Sequence, residues 1–307
     1  MASKLRQIMK GYFILRHQGR VWLALIGNFF LLVVAFLFSM PLSAKVVETH
    51  RFADILQEVD PHSIIFFDID DTLINTTSIL GNTPWWSYFV SKMATANLSK
   101  EEARLEVNKI IQKIMLQVPM RLIDPSAAEI IKKLQQQGIL TFALTARCLN
   151  PDYMQEADLC AYKHLKSVGI DFSLNRLPKL IDSNSYKCFS QGIIFTDYQD
   201  KGPFLKNFLN HHSLRPSKVI FIDDSPRHMK SVESMVEAMG IPFCGFRYSQ
   251  LDHFHKQFDP LLANIQLEAF LQNDRLLSDE EALKIAQAEP DKNPDYFINE
   301  LMRKWQN

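Results

Sequence analysis

Three short apolar runs, each ending in acid or hydroxyl, constrain this chain most. "SIIFF" (Ser63–Phe67) leads into Asp68, Asp70, Asp71 and Thr72. "ILTFALT" (Ile139–Thr145) ends on Thr145, and "KVIFIDD" (Lys218–Asp224) ends on Asp223 and Asp224. None of the runs alternates apolar with polar, so strands made from them are buried on both faces. Helical patterns separate them. Such strands belong to an α/β fold, a Rossmann-like parallel sheet with helices on both faces. Functional groups of that architecture gather at the carboxyl ends of the strands. Those ends are where the polar residues of this sequence stand.

The segments between supply the helices. Ser99 followed by Glu102 reads as a capping box. Pro125–Ser126 opens a second helix, which Gly138 closes. A third covers 152–168. "DKGPFL" opens a fourth with Pro203 in its first turn. A fifth runs from Ser225 to Met239, and Ser278 caps a sixth over "DEEALKIAQ". "KVVETHRFADILQEV" (Lys45–Val59) reads as an amphipathic helix, and 73–97 as irregular and rich in aromatics. "YKCFSQGIIFT" breaks at Gln191–Gly192, which predicts a hairpin or edge strand. "IPFCGFRY" reads as the last strand.

Charge is balanced overall, with 34 basic and 34 acidic residues in 307, but unevenly placed. Residues 1–44 hold Lys4, Arg6, Lys10, Arg16 and Arg20 and no acid. The remainder is therefore net acidic, which excludes the basic face that a nucleic-acid partner requires. The basic lead precedes Val21–Phe38, 18 residues without charge. This is a signal peptide cleaved near Ser43–Ala44, or a retained membrane anchor. The basic flank holds the N-terminus in the cytoplasm in either case. The rest of the chain is then expected outside it, periplasmic or secreted, or anchored to the inner membrane. Membrane contact is confined to residues 21–38. Residues 45–290 are expected to form the functional domain, with a helical cap insertion over 78–120 and a smaller insertion over 148–195. Residues 291–307 are expected as a tail. Cys148, Cys160, Cys188 and Cys244 fall in the exported part. An oxidising compartment permits disulfides among them, and four buried thiols are the alternative.

Asp68 and Asp70 are two residues apart at a strand end, so they point roughly the same way. With Asp223 and Asp224 beside them, the carboxylates need a cation to coexist. A hard, oxygen-seeking ion such as Mg²⁺ suits carboxylates, a carbonyl and water. A metal held there attracts phosphate, and Lys201 and Thr145 can meet it from the other side.

Four motifs in order, "DIDDTL" (Asp68–Leu73), "LTAR" with Thr145, "DKGPFL" with Lys201 and "FIDDS" with Asp223 and Asp224, resemble the haloacid dehalogenase (HAD) superfamily. The resemblance is closest to an exported bacterial HAD-like group catalogued as a domain of unknown function. It spans 48–287 and includes "LGNTPWW", "GIIFT" before Lys201–Gly202, and "GFRY". A local similarity to class B acid phosphatases is confined to "DIDDT" and the leader.

The resemblance implies a phosphatase or phosphotransferase. Asp68 is then the nucleophile and forms an aspartyl-phosphate. Asp70 is the general acid and base. Thr145 and Lys201 bind the phosphoryl group. Mg²⁺ is then held by the Asp68 carboxylate, the Asp70 carbonyl and Asp223, with Asp224 near it or acting through water. The expected activity is an exported Mg²⁺-dependent phosphomonoesterase. Its expected partner is a phosphorylated small molecule or a phosphoprotein. A phosphoprotein phosphatase, a phosphotransferase and a non-catalytic envelope interaction protein are the alternatives. Arg147, Trp85 and Trp86 are candidate substrate contacts. Asp71 is expected as a solvated or turn carboxylate, Thr72 as a turn hydroxyl, and His211 and His212 as an exposed helix end.

Overall fold

The computed structural model describes residues 44–94, 98–149, 156–174 and 187–306. The leader or anchor lies outside the described residues, and so do 152–155 of the helix expected over 152–168. Among the described residues no helix is long and apolar enough to cross a membrane.

The chain opens with β1 (Lys45–Thr49), a 3₁₀ turn (Phe52–Gln57) and β2 (Ile64–Phe67). After β3 (Ile74–Thr76) come α1 (Thr83–Ala94), α2 (Lys100–Met115), β4 (Met120–Leu122) and α3 (Ala127–Gln136). Then follow β5 (Leu140–Thr145), α4 (Ala157–Ser167), β6 (Phe189–Ser190), β7 (Ile193–Phe195), α5 (Lys201–His211) and β8 (Val219–Asp223). The last part holds α6 (Pro226–Ala238), β9 (Phe243–Tyr248), α7 (Asp252–His255), α8 (Pro260–Asn273), α9 (Asp279–Ala288) and α10 (Tyr296–Gln306).

Seven strands form one sheet in the order β1-β9-β8-β2-β5-β7-β6. Every neighbouring pair is parallel except β6 and β7. The unbroken apolar runs are explained by where their alternate residues go. Ile65 and Phe67 of β2 pack with Ile130, Ile131 and Leu134 of α3 and Leu165 of α4 on one face. Ile64 and Phe66 pack with Leu205 and Phe208 of α5 and Val232 and Val236 of α6 on the other. Successive side chains of a strand point to opposite faces, so a strand with helices on both sides must be apolar throughout. From central β2 the chain builds outward to β5 and β7, then returns across the sheet to β8 and β9. Asp68, Thr145 and Asp223 thereby stand side by side at the carboxyl ends of β2, β5 and β8.

Two segments differ from their sequence patterns. Lys45–Thr49, expected as helix, is the edge strand β1, in register with β9 from Lys45↔Cys244 to Thr49↔Tyr248. Val46, Val47 and Thr49 are β-branched, and an available strand edge overrides a weak helical period. Within 73–97, expected as irregular, lie β3, which pairs with β4, and helix α1. Asn82 Oδ1 accepts the Trp85 N–H at 2.8 Å, and Pro84 sits in the first turn, so this start is well capped. The Gln191–Gly192 break is a hairpin turn, with φ of 52° and 81°, the left-handed pair that a two-residue loop between twisted strands needs. The capping boxes at Ser99 and Ser278 are both formed.

A second core joins parts far apart in sequence. Trp85, Phe89, Val107 and Ile114 of α1 and α2 pack with Ala263, Leu267 and Phe270 of α8 and with Phe297 and Ile298 of α10. Residues 291–307, expected as a tail, thus contribute α10 to this core. Buried amides fasten it. Gln266 Oε1 accepts Leu80 N–H at 2.9 Å, and Asn264 Oδ1 accepts Ile298 N–H at 2.9 Å. Cys148, Cys160, Cys188 and Cys244 are free thiols here, all but Cys188 buried.

Gly202 sits where α5 meets α6, and a Cβ there would lie 2.2 Å from the Ser231 carbonyl oxygen. That contact is against backbone and has no cheap relief. Overpacking of this kind costs about 1–3 kcal/mol, and a chain of this size loses about 2–4 °C per kcal/mol. Gly202→Ala is therefore expected to lower the thermal midpoint by roughly 3–10 °C in circular dichroism melts.

Candidate active site

The carboxyl ends of β2 and β8 bring one ammonium among several carboxylates. Lys201 opens α5, is 1 % exposed, and donates from Nζ to Asp68 Oδ1 and, at 2.6 Å, to Asp223 Oδ2. Asp68 Oδ2 accepts the Thr72 hydroxyl at 3.1 Å. The same hydroxyl accepts the Asp224 N–H at 3.0 Å, so Thr72 ties the first acidic motif to the last. Asp223 Oδ1 accepts Ser225 N–H at 2.7 Å. Each buried oxygen thus has a reason for its position.

One oxygen each from Asp68, Asp223 and Asp224 lies within 4.8 Å of the others. Burial, together with the Asp68 and Asp223 charges, pushes the Asp224 carboxyl well above the usual range. Burial also pushes Asp68 up, against the pull of Lys201. With all three carboxyls ionised, one ammonium would leave two negative charges without a counterion, and the raised Asp224 and Asp68 carboxyls reflect that crowding. A hard divalent cation with oxygen ligands supplies the missing charge, so the donor set fits such an ion. The Asp70 side chain is not in this group.

The Asp70 carboxylate is committed elsewhere. Arg147 grips it with two bonds, Nε to Oδ2 at 2.8 Å and Nη2 to Oδ1 at 2.7 Å. Burial raises this carboxyl, but the guanidinium outweighs it and holds Asp70 below the usual carboxylate range. Asp70 remains reachable, its side chain 39 % exposed. Arg147 is itself fixed. Its Nη1 lies 3.1 Å from His164 Nδ1, and His164 Nε2 lies 2.7 Å from the Met115 carbonyl oxygen. Arginine only donates, so Nδ1 accepts and the proton resides on Nε2, which donates to Met115. Burial and the neighbouring guanidinium push His164 down to about 4, which keeps the ring neutral.

Thr145 ends β5, is buried, and its hydroxyl accepts the Arg147 N–H at 3.1 Å. The two tryptophans separate. Trp85, expected beside substrate, is fully buried in the helical core and out of reach. Trp86 lines a cavity next to Asp70 and Arg147. Asp71 is not solvated. It is 2 % exposed at a left-handed φ of 61°, and its Oδ2 is 3.2 Å from His255 Nε2. His212 is buried against Phe208, while its neighbour His211 is exposed.

Sequence reasoning missed His164, His255 and Tyr198. Nothing local marks either histidine, because Arg147 and Asp71, the charged groups they meet, are 17 or more residues away along the chain. Tyr198 follows Phe195 at the end of β7, and the rule that groups gather at strand ends points to it.

Fold and site together define an α/β protein with a carboxylate–lysine cluster at the carboxyl ends of parallel strands. A family model described as a protein of unknown function, DUF2608, matches residues 48–283, and the chain belongs to that family. It is 26 % identical over 244 residues to a Chlamydia trachomatis protein named "Putative outer membrane protein", covering 79 % of this chain and 89 % of that one. It is 24 % identical over 267 residues to an uncharacterized protein of Rickettsia prowazekii, covering 83 % of this chain and 94 % of that one. Among solved structures it is similar to a haloacid dehalogenase-like family hydrolase from Streptococcus pneumoniae. That match has a TM-score of 0.38 at 14 % identity and covers 64 % of this chain and 99 % of the other.

His164 yields a signed pH dependence. The unfolded side chain titrates near 6.5 and the folded one near 4. Between those values the unfolded state alone takes the proton, so stability falls as pH drops through this window, by about 3 kcal/mol. His164→Asn removes the titrating ring and keeps an acceptor for Arg147. Its melting midpoint is expected to change less between pH 7 and pH 4.5 than the wild type's. Equal slopes in scanning calorimetry would count against the assignment.

Proposed function

We propose that this protein is an exported, Mg²⁺-dependent phosphomonoesterase that works through an aspartyl-phosphate on Asp68. One observation carries the reading: a buried lysine bridges Asp68 and Asp223, with Asp224 converging on the same point. Simple structural ion pairing needs no third carboxylate. Asp68, Asp223 and Asp224 would hold the ion, which supplies charge stabilisation for the transferring phosphoryl group when bound.

Lys201 opposes the effect of burial on Asp68 and so favours the ionised, nucleophilic form. An Asp68 oxygen attacks phosphorus as the bond to the ester oxygen breaks. Asp70 gives that oxygen its proton. Water then attacks phosphorus, the Asp68–phosphorus bond breaks, and Asp70 takes the water proton. The resting pair with Arg147 suits the second half of this cycle, because an ionised Asp70 is a base. The acid half requires the guanidinium to leave Asp70, and an incoming phosphoryl group offers Arg147 a competing anion. The Thr145 hydroxyl, at the end of the adjacent strand, is assigned to the phosphoryl oxygens. Phosphoryl transfer depends mainly on such positioning and charge.

The uncharged run Val21–Phe38 behind a basic lead supports an exported location, as does the name of the chlamydial relative.

Phosphate release from p-nitrophenyl phosphate is the test. Activity with Mg²⁺ is expected to fall to background with a chelator and to return when Mg²⁺ is restored. Asp68→Asn is expected to lose at least roughly 10³-fold in kcat while staying folded. No release from any member of a phosphomonoester panel would sink the reading.

A further inference from the structure

A cavity of about 220 Å³ opens beside Asp70 and Arg147. Asp68, Lys201, Asp223 and Asp224 are not among its lining residues, so it lies beyond the phosphoryl site rather than within it. Asp70 belongs to both places. In the reading above, Asp70 faces the ester oxygen that leaves. The carbon side of the ester must then enter this cavity, and its walls decide which alcohol is accepted. The inference rests on that reading of Asp70.

The walls are mostly apolar, with Ile111, Met115, Trp86 and Tyr198 prominent among the described lining residues. Asp70 and Arg147 are the only lining residues among those described that carry charge, and they are engaged with each other. Trp86 and Tyr198 lie face to face, with centroids 5.7 Å apart and planes 11° from parallel. Trp86 Nε1 donates to Asn108 Oδ1 at 3.4 Å, which spends the polar atom of the indole within the protein. Arg104 sits 6.0 Å from the Tyr198 ring.

The loop that sets this wall is held in a costly conformation. Asp197 and Tyr198 both have left-handed φ, 49° and 63°. There Cβ crowds the following carbonyl oxygen, which disfavours residues that carry a side chain. Three bonds to the loop after β5 hold it: Asp197 N to Arg147 O at 3.2 Å, Tyr198 N to Ala146 O at 2.9 Å, and Leu149 N to Asp197 Oδ1 at 2.6 Å. These bonds place the tyrosine in the wall of the cavity that Arg147 also lines.

Size and polarity give the ligand class. An apolar cavity of roughly 150 Å³ admits a benzene ring, so this one has room for one substituted ring. A sugar or polyol would leave most of its hydroxyls unpaired against Ile111, Met115 and Trp86, since Asn82, Thr83, Asn108 and Tyr198 are the few neutral polar groups among the described lining residues. We propose that this cavity is the leaving-group subsite, and that it selects phosphate monoesters of flat, uncharged, apolar alcohols, with a phenol as the simplest case. A small aryl phosphate and a phosphotyrosine side chain share that chemistry.

Non-hydrolysable phosphonates test the subsite without the influence of leaving-group reactivity. Calorimetry on the Mg²⁺-loaded protein is expected to show phenylphosphonate binding at least tenfold more tightly than methylphosphonate. In Trp86→Ala, and separately in Ile111→Ser in case the first variant does not fold, the ratio is expected to fall toward one. Equal affinities in the wild type, or a ratio unchanged in a folded variant, would overturn the inference. The two readings fail separately. Ester hydrolysis without an aryl preference in phosphonate binding removes the subsite and leaves the phosphatase. An aryl preference without hydrolysis of any ester does the reverse. Parallel hydrolysis of phenyl phosphate and a phosphotyrosine peptide distinguishes the two sources, and turnover of neither, with glycerol 2-phosphate turned over, also overturns the inference.

Discussion

The arrangement depends on a lysine ammonium buried between two carboxylates. Lys201 comes from the start of α5, Asp68 from the end of β2 and Asp223 from the end of β8. Taking such charges out of water is expensive, and removing one partner of a buried pair typically costs about 3–5 kcal/mol. The site tolerates burial because its oxygens are also bonded to the Thr72 hydroxyl and the Ser225 N–H. Even so, one positive charge does not balance three carboxylates. The remaining deficit leaves a donor set suited to a hard divalent cation.

A second chain of bonds links this centre to the helical half of the molecule. Asp70 is gripped by Arg147, Arg147 is steadied by His164, and His164 is fixed by the carbonyl of Met115, the last residue of α2. That helix also contributes Ile111 and Met115 to the cavity wall. The position of the helical half therefore bears on both Asp70 and the space beside it. The half is itself completed by α8 and α10, whose sequence lies more than 140 residues beyond α2.

Much of the fold was legible because local and global preferences agree. Unbroken runs such as Ile64–Phe67 become strands covered on both faces. Ser99 and Ser278 cap helices as their neighbours Glu102 and Glu281 predict. The exceptions are places where a distant partner outweighed a weak local signal. Lys45–Thr49 pairs with β9, about 200 residues later. Trp85 and Trp86 are adjacent, yet helix geometry turns one into the core and the other toward the cavity. Nothing in a one-dimensional pattern sets which face of α1 meets α8.

By itself the sequence put Asp68, Thr145, Asp223 and Asp224 at the carboxyl ends of buried strands, with Lys201 at the start of a helix. A parallel α/β sheet collects the ends of its strands, so polar residues ending apolar runs must converge. Tertiary structure alone decided how those residues are used. It put Lys201 between two aspartates, turned Asp70 away from the acidic cluster toward Arg147, and brought Tyr198 over Trp86. The physical reason is that ion pairing, tautomer and cavity shape depend on distances of a few ångströms between segments far apart in the chain. Spacing along the sequence carries no information about those distances until packing fixes them.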